Sequence, residues 1–72
     1  MNILLRRILA FSLVLGSFRG YIALFDKGAS EPRYVYPYAV ASLPEADRLA
    51  LEQGIRVGNE EELSRLLEDF LS

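Results

Sequence analysis

The sequence predicts a small α+β fold, a two-layer β-β-α-β-α sandwich in which two helices cover one face of a three-stranded sheet. Two strand-like runs, at residues 20–26 and 33–41, flank a turn-rich stretch. Two helix-like stretches with start and stop signals follow, and the short strand-like run Ile55-Arg56-Val57 lies between them. An apolar amino-terminal segment, predicted to be a helix, precedes these elements.

Composition narrows the chemistry available to the chain. The 72 residues form one small domain, with no cysteine for a disulfide or a thiolate zinc site and no histidine for general-base catalysis or metal binding. Residues 1–20 carry three arginines and no acid, whereas residues 21–72 carry five basic and ten acidic side chains. An acidic body argues against nucleic-acid binding. We therefore expect no cofactor, no metal and no nucleic-acid partner.

Residues 1–18 resemble a signal-like or membrane-anchor segment. Arg6 and Arg7 precede the uncharged run from Ile8 to Phe18, which is shorter than the ~20 residues that a membrane-spanning helix needs. On this interpretation residues 19–72 are the folded domain, and the protein is extracytoplasmic or membrane-associated.

An alternative interpretation places the same segment inside the folded domain. Leu4, Ile8, Phe11 and Leu15 lie on one stripe at helical spacing. The amino-terminal helix would then join the domain core, and the protein would be a cytoplasmic structural or homo-oligomeric domain.

The strand region contains the candidate binding surface. Gly20 to Asp26 is apolar on both alternating faces, as in a central strand, and Asp26 to Pro32 forms a turn into an antiparallel second strand at Arg33 to Ala41. Within the second strand Tyr34, Tyr36 and Tyr38 alternate and so project to one side. Pro37 cannot donate a ladder hydrogen bond, which indicates an edge strand.

These four residues are the predicted partner-binding site: Tyr34, Tyr36, Pro37 and Tyr38. A partner peptide can dock at such an edge by strand addition or by packing on the rings. The alternative is that the tyrosines cover the sheet against the helices, which a domain of this size favours because it needs its large side chains for the core.

The first helix is predicted to begin at a capping box formed by Ser42 and Glu45, with Pro44 in its first turn. It is expected to end at Gln53, because Gly54 adopts the left-handed conformation of a helix stop. Its buried face is predicted from helical spacing, with Leu51 off that face; the face comprises Leu43, Ala46, Leu49 and Ala50.

The second helix is predicted to start at Asn59, which forms a capping pair with Glu62. Its apolar stripe comprises Leu63, Leu66, Leu67, Phe70 and Leu71. The strand at residues 55–57 is expected to run parallel to the second strand through a right-handed crossover, giving the spatial order 2-1-3 with the first strand in the centre.

No set of side chains indicates catalysis. The carboxylates of Glu60–Glu62, Glu68 and Asp69 could coordinate a hard cation. They are better explained by the favourable interaction of negative charge with the helix dipole in the first turn, and by a solvent-exposed helix face beyond it. We therefore expect a non-enzymatic protein.

Four segments together resemble the bypass-of-forespore C-terminal domain family of spore-forming Gram-positive bacteria. They are Gly20–Phe25 (GYIALF), Leu43–Arg48 (LPEADR), Gly54–Val57 (GIRV) and Glu60–Ser72 (EEELSRLLEDFLS). The resemblance covers Gly20 to Ser72. It implies a small non-catalytic α+β module on the outer side of a membrane, in a sporulation-associated regulator that restrains an extracytoplasmic serine peptidase.

Overall fold

The computed structural model describes residues 13–71 as a four-stranded antiparallel sheet with two helices. In chain order the elements are β1 (Leu13–Phe18), β2 (Tyr21–Asp26), β3 (Tyr34–Ala39), a 3-10 turn (Val40–Ser42), α1 (Glu45–Gln53), β4 (Ile55–Val57) and α2 (Glu60–Leu71). The strand order in the sheet is β3-β2-β1-β4. The α+β class is confirmed, but the prediction of three strands is wrong.

The additional strand, β1, lies where an amino-terminal apolar helix was predicted. That prediction is wrong for residues 13–18, and the rest of the predicted helix, residues 1–12, lies outside the described residues. β1 pairs with β2 along its whole length, from Leu13 opposite Asp26 to Phe18 opposite Tyr21. Its central position explains why the run is apolar on both faces, which is the pattern of a strand with neighbours on both sides.

A two-residue turn connects β1 to β2. Arg19 has a φ of 54° and Gly20 a φ of 90°. Two consecutive residues with positive φ are the signature of a type I′ turn, whose twist matches that of an antiparallel hairpin. The turn therefore sets the register of the two central strands.

The strand β4 is confirmed at Ile55–Val57, but its predicted partner is wrong. It pairs antiparallel with β1, with Leu13 opposite Val57 and Leu15 opposite Ile55. The prediction placed it beside the strand now called β2 and parallel to β3. Since β1 already occupies that position, β4 pairs with β1 instead.

The hairpin of β2 and β3 is antiparallel as predicted, and β3 lies at one edge of the sheet formed by the described residues. Ala29 donates a hydrogen bond to the carbonyl of Asp26 in the connecting loop. The Arg33 guanidinium lies 2.7 Å from an Asp26 carboxylate oxygen. Both side chains are more than half exposed, so this ion pair contributes little to stability.

The core lies between one face of the sheet and the helices. Alternate positions of the central strands face it, including Leu15 and Ile22, neither of which has any exposed surface. The buried cluster comprises Leu13, Leu15, Ile22, Leu24, Leu43, Leu51 and Val57. Against it pack the partly buried side chains Tyr36, Val40, Ile55, Leu63, Leu66, Leu67 and Phe70.

The start and buried face of α1 differ from the prediction. The helix begins at Glu45 after Pro44, with no side-chain cap, and Ser42 ends the preceding 3-10 turn. The predicted capping box of Ser42 and Glu45 does not form, because the residue before a proline is restricted to extended conformations. Leu43 accordingly has φ −90° and ψ 156°.

The helix α1 ends as predicted, but it buries a different leucine. Leu51 is only 1% exposed, whereas Leu49, assigned to the buried face, is 50% exposed. Gly54 has a φ of 91° and donates to the carbonyls of Ala50 and Leu51. The carboxyl end of α1 lies against β1, because the Leu51 carbonyl is 3.4 Å from where a Cβ of Gly16 would stand. In this position the Leu51 side chain joins the buried cluster.

The predicted features of α2 are confirmed with two changes. The Glu62 amide donates to Asn59 Oδ1 at 2.8 Å, as expected of a capping residue. The Glu62 carboxylate, however, accepts a hydrogen bond from the amide of Gly58 rather than from that of Asn59. The apolar stripe packs on the core, except that Leu71 is 48% exposed.

Replacing Leu15 by alanine tests the central position of β1. Leu15 is fully buried, so we expect Leu15→Ala to lower the free energy of unfolding by about 3 kcal/mol. The exposed Ser17 of the same strand provides the control, and Ser17→Ala should change stability by less than about 0.5 kcal/mol. Urea denaturation measures both values. Equal stability of the two variants would contradict the placement of β1 in the core.

Two glycine variants separate backbone strain from side-chain crowding. Gly28 and Gly54 both have positive φ, at 82° and 91°. A Cβ on Gly28 meets nothing within 4 Å, whereas one on Gly54 lies 2.9 Å from Val14 Cγ1. We expect Gly28→Ala to cost about 1 kcal/mol and Gly54→Ala about 3 kcal/mol in denaturation experiments. A smaller loss for Gly54→Ala than for Gly28→Ala would contradict this packing.

Candidate protein-interaction surface

The three tyrosines of β3 lie on the core side of the strand, but at different depths. Tyr34 is opposite Leu24 in the register, so both side chains point to the same face of the sheet. Tyr36, two residues on, packs against the core cluster. Tyr34 and Tyr38 are 55% and 40% exposed. Tyr36 therefore covers the sheet, as the structural alternative predicted, while the other two rings remain available at the edge.

The Tyr34 and Tyr36 rings contact each other edge to face. Their centroids are 4.8 Å apart and their planes make an angle of 74°. This arrangement places the positive edge of one ring towards the negative face of the other, which is favourable for aromatic pairs. The half-buried Tyr36 thus supports the exposed Tyr34 and fixes its position at the edge.

Pro37 lies in an irregular part of β3. Tyr21 is opposite Ala39 and Ala23 is opposite Val35, so β3 uses two more residues than β2 between these pairs. Pro37 is exposed within this interval, and it has no N–H to donate. A bulge and a proline both interrupt regular pairing. The edge therefore offers short pairing segments on each side of Pro37 rather than one long continuous segment.

The surroundings of the Tyr36 hydroxyl on β3 shift its pKa. Partial burial raises the pKa of Tyr36 above its ordinary value of 10.0, and the nearby Tyr34 raises it further. Both effects disfavour the phenolate, the first by desolvation and the second by repulsion between like charges. Tyr36 therefore stays neutral at physiological pH.

The sheet has a second apolar surface that the sequence interpretation missed. We call it the outer face, because its side chains point away from the core cluster. Phe18 and Phe25 lie on it with ring centroids 6.4 Å apart in an edge-to-face arrangement. By register it comprises Val14, Phe18, Tyr21, Ala23, Phe25 and Val35. Tyr21 and Val35 are its most exposed large members, at 46% and 41%.

The outer face is closely packed at its centre. The cross-strand pair of Gly16 and Ala23 is buried there. A Cβ on Gly16 would lie 3.4 Å from Phe25 Cε1, so the ring fills the space that a side chain at position 16 would use. An aromatic ring beside a strand glycine compensates for the missing side chain. The signal for this surface was the largely apolar sequence on either side of Arg19-Gly20, Leu13–Phe18 and Tyr21–Phe25.

The acidic residues of α2 form no metal site in the part of the chain that the structure describes. No group of three or more potential ligands is close enough there to hold a metal ion. Glu60, Glu61 and Glu62 lie in the first turn of the helix, where negative charge is favourable to the helix dipole. These carboxylates therefore have a structural role at the helix start.

No family model, curated protein or solved structure matches this chain. The resemblance to the bypass-of-forespore C-terminal domain family therefore stays a prediction from the four sequence segments. Among residues 13–71, no helix is long and apolar enough to cross a membrane.

Alkaline titration of Tyr36 tests its partial burial. The pKa of Tyr36 is raised in the folded protein, so the unfolded state loses this proton at lower pH than the folded state does. The free energy of unfolding is therefore unaffected by Tyr36 well below pH 10, and it falls as the pH rises towards the folded pKa of Tyr36. Urea denaturation of wild type and Tyr36→Phe over this range measures the effect.

We expect the decline in stability above pH 10 to be smaller in Tyr36→Phe than in wild type. Tyr21→Phe serves as the control, because Tyr21 is exposed and lies on the opposite face of the sheet from Tyr36. An identical decline in Tyr36→Phe and wild type would contradict the raised pKa.

Proposed function

We propose that this chain is a non-catalytic protein-interaction module that binds an extended segment of a partner protein at the edge strand β3. The observation that carries the proposal is the exposure of Tyr34 and Tyr38 on a strand at the edge of the described sheet. A binding surface here needs no catalytic group, which agrees with a composition free of histidine and cysteine.

The geometry suits recognition of an extended peptide. Tyrosine rings provide a large apolar contact area with few rotatable bonds, and their hydroxyl groups can hydrogen-bond. An edge strand can also pair its main chain with an added strand. Since Pro37 interrupts the edge, main-chain pairing is restricted to the flanking positions, and contacts with Tyr34 and Tyr38 contribute the remaining selectivity.

The sequence resemblance supports a narrower form of the proposal. In that form the protein is a sporulation-associated regulator, and its partner is an extracytoplasmic serine peptidase. The support consists of the four matching segments between Gly20 and Ser72. Any route of export must leave β1 intact, because Leu13 and Leu15 belong to the core cluster. Cleavage or membrane insertion within residues 13–18 would remove the strand that pairs with both β2 and β4.

A second candidate function is a structural or homo-oligomeric domain. It is favoured by the position of β1, since the end of the apolar amino-terminal segment forms part of the sheet. Under this proposal the protein associates with further copies of itself and is cytoplasmic. Sedimentation velocity distinguishes it from the first candidate, because a homo-oligomer forms without any added partner and dissociates on dilution.

Selection of peptides by the folded full chain tests the interaction proposal. Peptides are selected from a display library, and their affinities are measured for wild type and for Tyr34→Ser combined with Tyr38→Ser. We expect binding to weaken by about tenfold or more, because exposed aromatic anchors dominate such contacts. Hydrogen exchange should show added protection in β3 when the peptide is bound.

Tyr21→Ser is the matched control for this experiment. Tyr21 is an exposed strand tyrosine like Tyr34, but it lies on the outer face. Its replacement should leave peptide affinity within about twofold of wild type. Peptides that bind the β3 double variant as tightly as wild type, or that protect other elements instead, would refute the proposed surface.

A further inference from the structure

The outer face is an apolar surface on the side of the sheet opposite the core cluster. The core-facing positions of β1 and β2 contact the helices, whereas Phe18, Tyr21 and Phe25 point the other way. The carboxyl end of α1 reaches this face along β1, where the Leu51 carbonyl lies beside Gly16 and Gly54 lies beside Val14. Tyr21 and Val35 remain exposed, so the centre of the face is packed while its exposed side chains are large and apolar.

Charge is distributed unequally between the helices and the outward positions of the strands. The helices α1 and α2 contain two arginines, Arg48 and Arg65, and eight acidic residues. The acidic residues are Glu45, Asp47, Glu52, Glu60, Glu61, Glu62, Glu68 and Asp69. By contrast, the outward strand positions of the described sheet include no carboxylate.

Two guanidinium groups border the outer face. Arg56 is exposed and opposite Val14 in the register, so its side chain lies on this side of β4. The Arg19 guanidinium carbon lies 5.1 Å from the centroid of the Phe18 ring, which places this cation above the aromatic surface. The face therefore combines exposed apolar side chains with positive charge at two of its margins.

We propose that the outer face docks on the surface of an anionic lipid bilayer. Aromatic side chains favour the membrane–water interface, and basic side chains are attracted to anionic headgroups. The acidic side chains of α2, which packs on the core side, are repelled by the same headgroups and so orient the sheet towards the membrane. A second copy of this chain would add two further arginines to the interface, whereas an anionic bilayer supplies the opposite charge. This surface is distinct from the β3 edge and does not depend on it.

Vesicle binding by the full chain tests this proposal. The probes are phosphatidylcholine vesicles with and without phosphatidylglycerol, and partitioning is measured by co-sedimentation. We expect binding to the anionic vesicles that weakens with added salt. Arg56→Gln should weaken partitioning about fivefold and Tyr21→Ser about tenfold. Both variants keep residues 1–12 unchanged, so these losses report on the outer face alone.

Each variant has a matched control away from the outer face. Arg65→Gln removes a cation from the exposed side of α2, and Tyr34→Ser removes an exposed tyrosine from the β3 edge. Both controls should partition like wild type. The chain contains no tryptophan, so Tyr21→Trp and Tyr34→Trp each introduce one fluorescent reporter. Indole emission should shift to the blue on anionic vesicles for Tyr21→Trp and stay unchanged for Tyr34→Trp.

Three results would overturn the proposal. The first is no binding of wild type to anionic vesicles. The second is equal binding of wild type, Tyr21→Ser and Arg56→Gln, which would assign the affinity to another part of the chain. The third is a concentration-dependent dimer in vesicle-free solution that Tyr21→Ser dissociates, which would identify a second copy of the chain as the occupant of the outer face.

Discussion

The pairing of β1 with strands on both of its sides determines the rest of the structure. Leu15 illustrates the constraint, because it is opposite Leu24 of β2 and Ile55 of β4 and has no exposed surface. The chain must therefore leave the β2–β3 hairpin, cross through α1 and bring β4 back beside β1. That return fixes where α1 ends, and α2 then covers the core from β4 onward. Without β1, β4 would have no partner and the leucine cluster would lose two members.

Local signals predicted local structure well. The stop of α1 at Gly54 and the cap of α2 at Asn59 depend on one or two neighbouring residues, and both were predictable. The start of α1 was not, because Ser42 and Glu45 have the spacing of a capping box while Pro44 keeps Leu43 extended. The burial of Leu51 rather than Leu49 also depends on tertiary contact, since it follows from the position of α1 against β1.

The strand β1 was hidden by its composition. An uncharged apolar run after two arginines is typical of a targeting segment, and a run that is largely apolar on both alternating faces has no strand periodicity to distinguish it. The β3 edge was predictable because Pro37 and the alternating tyrosines carry their own signals. The outer face was not, since it needs Phe18 of β1 beside Phe25 of β2. A surface shared by two strands cannot be found when one strand is missing from the prediction.

The short pairing of β4 has a consequence for how the domain folds and opens. The strands β1, β2 and β3 follow one another through turns, so their contacts close short loops and form early. The β1–β4 ladder joins segments from opposite halves of the described chain through three residue pairs. Closing such a long loop costs conformational entropy, and only three residue pairs of this ladder offset that cost. We therefore expect the meander of three strands to form first and the amides of the α1–β4–α2 half to exchange with solvent more readily.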